Sequence, residues 1–118
     1  MQVDDLLVYQ KLFRLALEVH HITLSFPKFE LYELGSQLRR SSNSAPANLA
    51  EGFGSKHTNV YVEGISRARG EIRETIHHLK MVQRKDYISE EKCNHFVSAY
   101  EECSKMLHGL QKALIKNK

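Results

Sequence analysis

Residues 35–54 read GSQLRRSSNSAPANLAEGFG, and this stretch decides the fold. Apolar residues recur on both sides of Pro46 at intervals of three or four, which is typical of one helix face. Serine and alanine crowd around the proline, and side chains this small let a second helix approach closely. Gly52 and Gly54 then end the helical pattern. No catalytic motif lies in the stretch, so it predicts a fold rather than a reaction.

Pro46 admits two local structures. In the first, Ser44 caps a new helix whose first turn contains Pro46. In the second, one long helix bends at Pro46, because the proline ring clashes with the carbonyl of Ser42 at a cost of about 3 kcal/mol. Nearby serine hydroxyls would then bond the freed carbonyls. Periodicity alone leaves both structures open.

Three further segments repeat apolar residues at helical spacing, and each has a start or stop signal such as Pro27 or Ser89. The four predicted helices cover residues 5–26, 29–52, 59–85 and 89–115. Their mean apolar spacing of about 3.5 residues favours nearly parallel helix packing. Because the joins are short, each helix should run antiparallel to the one before it. The sequence predicts a single all-α domain, residues 1–118, forming an antiparallel up-down-up-down four-helix bundle.

Composition limits the classes of protein that need to be considered. The chain has 17 lysines and arginines against 14 acidic residues, a formal net charge of +3. This mild surplus permits a polyanionic partner without requiring one. No apolar run is long enough to span a membrane, and residues 1–7 lack the basic start of a secretory signal. Cys93 and Cys103 lie ten residues apart on one predicted helix, about 15 Å, too far for a disulfide. We therefore expect a cytoplasmic protein without membrane contact.

Several short motifs carry a resemblance to a known family. They are Leu7-Val8-Tyr9-Gln10-Lys11, Ser25-Phe26-Pro27, Ser36-Gln37-Leu38-Arg39-Arg40 followed by Ala45-Pro46-Ala47-Asn48-Leu49-Ala50-Glu51-Gly52, and Ala68-Arg69-Gly70 with Glu74. The chain resembles the S23-type proteins encoded by intervening sequences in bacterial large-subunit ribosomal RNA genes. The accessory protein of diversity-generating retroelements has the same fold. The chain departs from the family pattern at residues 41–44, which are more polar here, and at Glu71, where a serine is common.

The resemblance implies properties that the residues alone do not give. It implies one continuous second helix, kinked at Pro46, and assembly into a homopentamer with a central channel. It also implies binding of RNA or DNA, with a reverse transcriptase or a ribosomal component as a possible protein partner. The resemblance does not imply an enzymatic activity.

A cluster of basic residues is the candidate nucleic-acid-binding site. If the second and third helices meet at the turn near residue 55, basic side chains from both helices lie level with one another. The cluster consists of Arg39, Arg40, Lys56, His57, Arg67, Arg69 and Arg73. Such a stripe would neutralise phosphates without reading bases. In the alternative interpretation, these arginines pair with Glu71 and Glu74 and hold helices or subunits in register.

Metal binding and nucleophilic catalysis receive little support. Glu18 with His21, and Glu74 with His77, match the Glu-x-x-His pattern of di-iron bundles. All four flank the apolar stripes instead of lying on them, as do Glu33 and Glu91, the candidates for the two further ligands.

Both cysteines occupy core positions, where a thiol is usually inert.

We therefore expect no metal, no cofactor, no catalytic residues and no enzymatic activity. The predicted function is a non-enzymatic, homo-oligomeric accessory protein that binds RNA or DNA through phosphate contacts. The alternative is a protein–protein scaffold without nucleic-acid binding.

Overall fold

The computed structural model describes residues 1–117, and helices cover most of them. A 3-10 turn at Val3–Asp5 precedes the first helix. The helices are α1 (Leu7–Thr23), α2 (Lys28–Leu31), α3 (Leu34–Gly52), α4 (Thr58–Arg84) and α5 (Glu90–Lys116). Within residues 1–117 there is no strand. The four long helices α1, α3, α4 and α5 pack into a bundle about 48 Å long, which confirms the predicted all-α four-helix bundle.

The predicted apolar stripes supply the core. The stripe residues of α1 are all buried: Val8, Leu12, Leu15, Val19 and Ile22. Those of α4 are buried as well: Tyr61, Ile65, Ala68, Ile72, Thr75, Leu79 and Val82. On α5 the first five are buried: Cys93, Phe96, Tyr100, Cys103 and Leu107. Leu110 and Leu114 at the end of α5 are only partly buried. Lys11 pairs with Glu102, so the last turns of α5 extend past the start of α1 and have fewer neighbours. The core therefore follows the 3–4 spacing until the bundle ends.

Contacts between helices indicate their relative directions. On α3 and α4, Ser41 lies opposite Thr75, and Gly52 lies opposite Gly64, so residue numbers rise on one helix as they fall on the other. Between α4 and α5, a connection of five residues leads from the end of one helix to the start of the next. The Cys93 thiol lies 3.6 Å from the Leu79 carbonyl oxygen, near that connection. These pairings are those of antiparallel neighbours.

The first predicted helix, 5–26, is longer than the observed one. Asp5 belongs to the 3-10 turn, where its carboxylate accepts a hydrogen bond from the Gln2 backbone, so α1 begins only at Leu7. At the other end, α1 stops at Thr23 because the chain turns through residues 24–26 before Pro27. Phe26 is nonetheless buried, as its place in the stripe predicts.

The second predicted helix, 29–52, is divided in two. The helix is interrupted at Tyr32 and Glu33, where Glu33 takes a non-helical backbone conformation, and this separates α2 from α3. Buried Glu30 accounts for this break, because its carboxylate receives hydrogen bonds from Lys85 at 2.8 Å and Tyr87 at 2.9 Å. These long-range bonds hold α2 against the α4–α5 connection, and sequence periodicity carries no sign of them.

Pro46 lies inside α3, which continues through it from Leu34 to Gly52. Of the two structures that the sequence left open, the single long helix is therefore the one formed; a bend at Pro46 stays a prediction. The buried hydroxyls of Ser41 and Ser42 bond the carbonyls of Leu38 and Arg39, one turn back, at 3.4 and 3.2 Å. Ser41 also lies 2.8 Å from the Thr75 hydroxyl, which links α3 to α4 by a polar contact inside the core.

The backbones of α3 and α4 approach each other closely at Gly52 and Gly64. A Cβ atom added to Gly64 would lie 2.9 Å from the Asn48 carbonyl oxygen and 3.1 Å from the Gly52 Cα. One added to Gly52 would lie 2.9 Å from the Val60 carbonyl oxygen. Distances this short leave no room for a methyl group, so both positions require glycine at this crossing.

Within residues 1–117, no helix combines the length and the apolar character that crossing a membrane requires.

Candidate nucleic-acid interface

Arg40 takes part in an ion-pair network between α3 and α4. Its guanidinium pairs with Glu71 at 3.1 Å and with Glu74, whose carboxylate also lies 3.2 Å from the imidazole of buried His78. The hydrogen bond to Glu74 raises the pKa of Arg40. Burial opposes ionisation of Glu74, but the bonds from Arg40 and His78 outweigh it and keep the pKa of that carboxyl below its ordinary value. Arg40 therefore makes the contacts of the ion-pair interpretation.

Arg39 is half-buried and serves the chain turn between α1 and α3. It donates to the Thr23 hydroxyl at 2.9 Å and to the Leu31 carbonyl at 2.6 Å. Since Leu31 ends α2, the guanidinium satisfies a carbonyl that the interrupted helix leaves open. Both terminal nitrogens of the Arg39 guanidinium therefore donate hydrogen bonds within the fold.

The next three residues of the predicted cluster lie near the α3–α4 turn. Arg67 is exposed and pairs with Glu63 at 2.6 Å, one turn earlier on α4. Lys56 and His57 are exposed in the turn, where Gly54 takes a left-handed backbone conformation with φ of +67°. Neither side chain has an ion-pair partner within residues 1–117.

Arg69 and Arg73 lie on the other side of α4. Two residues correspond to about 200° on a helix, so Arg69 points nearly opposite to Arg67, and Arg73 nearly opposite to Glu71. Arg73 is exposed, whereas Arg69 is half-buried and its Nε has no hydrogen-bond acceptor within residues 1–117. The predicted cluster is thus divided between two flanks of α4: a paired flank facing α3 and an unpaired flank turned toward α5.

Two buried polar side chains, Glu30 and His78, were not predicted from the sequence. Buried Glu30 bonds partners more than fifty residues away, and no local pattern announces this. The hydrogen bond from Lys85 lowers the pKa of Glu30, and that from Tyr87 adds to the effect against burial. His78 could have been found, because it follows buried Thr75 by three residues and therefore borders the core stripe.

Residues considered for metal binding and catalysis are not assembled into a site. Within residues 1–117, no group of three histidine, cysteine or acidic side chains is arranged to hold a metal ion. Glu74 bonds Arg40 and His78 rather than His77. Both cysteines are buried, and burial raises the pKa of Cys93 and brings that of Cys103 to about 11. The protonated thiol is the weaker nucleophile.

Comparison with solved structures supports the fold. The chain is similar to a protein of unknown function from the S23 ribosomal protein family of Bacteroides thetaiotaomicron VPI-5482, with a TM-score of 0.77 and 24% sequence identity. The similarity covers 89% of this chain and 98% of the other. No curated protein matches this chain significantly.

Comparison with protein families is decisive for classification. The family described as 23S rRNA-intervening sequence protein matches residues 4–109. That interval contains α1, α2, α3, α4 and most of α5, including the divided basic cluster. The chain therefore belongs to the 23S rRNA-intervening sequence protein family.

Proposed function

We propose that this chain is a non-enzymatic, homo-oligomeric protein that binds RNA or DNA through phosphate contacts. The observation that carries the proposal is the unpaired state of Arg69, Arg73 and Lys56 within residues 1–117, beside the paired state of Arg40 and Arg67. Cations without an internal carboxylate remain available to phosphates. Phosphate contacts of this kind give affinity without sequence preference. That affinity falls steeply as the salt concentration rises.

Self-association is the second part of the proposal, and it has its own support. Besides its core stripe, α1 carries exposed apolar residues on the outside: Phe13 and Leu17 are 50% and 62% exposed, and Leu24, directly after the helix, is 62% exposed. Leu6 and Tyr9 precede Phe13 on the same line, at intervals of three and four residues, and are partly buried against the core. Such spacing is that of a seam between helices, and contiguous exposed apolar surface marks an interaction site.

A second copy of this chain is the proposed occupant of that surface, because each copy presents long amphipathic helices with the matching spacing. The assembly that we propose is a ring of five. Five copies of a chain with charge +3 total about +15, which strengthens attraction to a polyanion. In this proposal the ring presents the unpaired flank of α4 many times over.

Two arginines of α4 provide the test for nucleic-acid binding. Arg73→Ala and Arg67→Ala each remove one guanidinium from the same helix, from the unpaired and the paired flank respectively. We expect Arg73→Ala to weaken binding of labelled structured RNA and duplex DNA in anisotropy titrations at low and moderate salt, and Arg67→Ala to have a smaller effect. If the wild type fails to bind at low salt, the proposal of phosphate contact is wrong and the scaffold alternative takes its place.

Light scattering after size exclusion tests the assembly. We expect Leu17→Glu, a change at an exposed position, to leave helix content intact and to dissociate the oligomer. Leu17 is used because its side chain is 62% exposed, so the new charge lies at the surface. A wild type that is monomeric at micromolar concentration would contradict self-association.

A further inference from the structure

The unpaired flank of α4 continues well beyond the predicted cluster. Basic residues follow one another there at intervals of four, four, three and four, which keeps them on one face of the helix. They are Arg69, Arg73, His77, Lys80 and Arg84, and together they are called the α4 ridge. All except Arg69 are exposed. At 1.5 Å per residue, the fifteen-residue interval from Arg69 to Arg84 spans about 22 Å.

Charges of the α4 ridge are not neutralised within the fold. The acidic residues of α4 that form ion pairs, Glu63, Glu71 and Glu74, all pair on the flank that faces α3 or with α4 itself. Within residues 1–117, no ridge cation has a carboxylate oxygen within 4.0 Å. Glu90 borders the ridge near Arg84, and within residues 1–117 it forms no ion pair. Arg69, Arg73, Lys80 and Arg84 thus form a line of positive charges without an ion-pair partner within residues 1–117.

A groove between α4 and α5 runs beside the ridge. It has a volume of about 470 Å³, with His77, Lys80 and Arg84 along one wall. Glu90, Asn94 and Val97 of α5 line the other wall, so a strand lying in the groove would meet one carboxylate and one amide as well as the basic side chains. The ridge contains no phenylalanine, tyrosine or tryptophan, and the ring of its one histidine, His77, contacts the ring of His78. The surface therefore suits a phosphate backbone and offers nothing that distinguishes one base from another.

We propose that the α4 ridge, with the adjoining groove, is the surface on which one strand of a nucleic acid lies by its phosphates. The proposal rests on the proposed nucleic-acid binding and locates it on one face of the molecule. Residues four apart on a helix are separated by about 6 Å along its axis, so successive cations can meet successive phosphates of one strand. Lys80 and Arg84, which lie outside the predicted cluster, become contact residues, whereas Arg39, Arg40 and Arg67 do not.

The test is the double variant Lys80→Ala/Arg84→Ala. Its matched control is Lys28→Ala/Lys92→Ala, which removes the same charge from exposed positions of α2 and of the α5 surface beside α1. Probes are a labelled oligouridylate, a duplex RNA and a duplex DNA of equal length, titrated between about 50 and 200 mM salt. Circular dichroism and light scattering establish that both variants keep their fold and assembly.

We expect the ridge variant to lose about tenfold in affinity at the lowest salt. For the duplexes, its slope of log affinity against log salt should be shallower by about 2, since each lost phosphate contact removes about 0.9. The control should keep the wild-type slope. Tighter binding of the oligouridylate or of one duplex would identify the preferred form of the backbone.

Three results would overturn the proposal, and each has a different meaning. If the wild type binds and both variants bind as tightly as the wild type, the phosphate site lies elsewhere, while nucleic-acid binding itself stands. If the wild type binds none of the probes, the proposed function falls and the ridge proposal falls with it. Equal weakening of both variants would show that only net charge matters, which also rejects a localised ridge site.

Discussion

The glycine pair where α3 crosses α4 allows a quantitative test of the fold. In Gly64→Ala, the new methyl group would lie 2.9 Å from the Asn48 carbonyl oxygen and 3.1 Å from the Gly52 Cα. Both obstacles are backbone atoms, so the helices must move apart. Overpacking of this kind costs about 1–3 kcal/mol, while replacing a helical glycine by alanine contributes about 1 kcal/mol of stability. The net expectation is a loss of up to about 2 kcal/mol.

Gly109→Ala is the matched control. Gly109 lies inside α5, and a Cβ atom added there would have nothing within 4 Å, so only the helix-propensity gain of about 1 kcal/mol remains. The two variants should therefore differ by about 2 kcal/mol in free energy of unfolding. For 118 residues this corresponds to about 8 °C in melting temperature.

Urea denaturation followed by circular dichroism measures the difference between the two glycine variants, and a fixed protein concentration removes any contribution from assembly. If Gly64→Ala proves as stable as Gly109→Ala, the close crossing of α3 and α4 is wrong. Gly52→Ala gives an independent check, because its methyl group would meet the Val60 carbonyl oxygen at 2.9 Å.

Three further predictions concern helix ends and the buried carboxylate. Ser89→Ala should cost about 1 kcal/mol in urea denaturation, because it removes the hydroxyl that accepts the backbone N–H of Lys92 at the start of α5. Asp86→Gly should stabilise by up to about 1 kcal/mol, since Asp86 has a φ of 63° that glycine adopts without strain; a loss of stability would contradict this. The Lys85 bond lowers the pKa of Glu30, so its stabilisation is present above the ordinary glutamate pKa and is lost as pH falls through the lowered value. Wild type should therefore lose stability more steeply in acid than Glu30→Gln, and parallel pH profiles would reject the role of this carboxylate.

Sequence reasoning succeeded where one helix face decides the outcome. Leu38, Ala45 and Leu49 are buried as their spacing predicts, and Ser41 and Ser42 fill the gap between them. The same reasoning missed the break between α2 and α3, because Glu30 is held by residues of the α4–α5 connection that are distant in sequence. Apolar periodicity reports which face is buried, but it does not report which distant side chain bonds a given carboxylate.

For the basic cluster, too, the sequence predicted one part of the arrangement and the structure was needed for the other. Its arginines were grouped by their level along the bundle, whereas a helix also fixes the direction in which each side chain points. Arg67 and Arg69 are neighbours in level and nearly opposite in direction. The spacing from Arg69 to Arg84 could have been recognised in the sequence as one helix face. Whether a cation on that face is paired depends on the acids of neighbouring helices, and that required the structure.

The sequence by itself determined the helical class, the core residues and the family pattern, because apolar spacing and small residues act through local geometry and through burial of one face. Tertiary structure alone decided that Arg40 pairs with Glu71 and Glu74, that Glu30 fastens α2 to the α4–α5 connection, and that Gly64 meets Gly52. Each of these depends on the rotation and separation of two packed helices. Those quantities are set by how all the side chains of the core fit together, and no single segment of the sequence contains them.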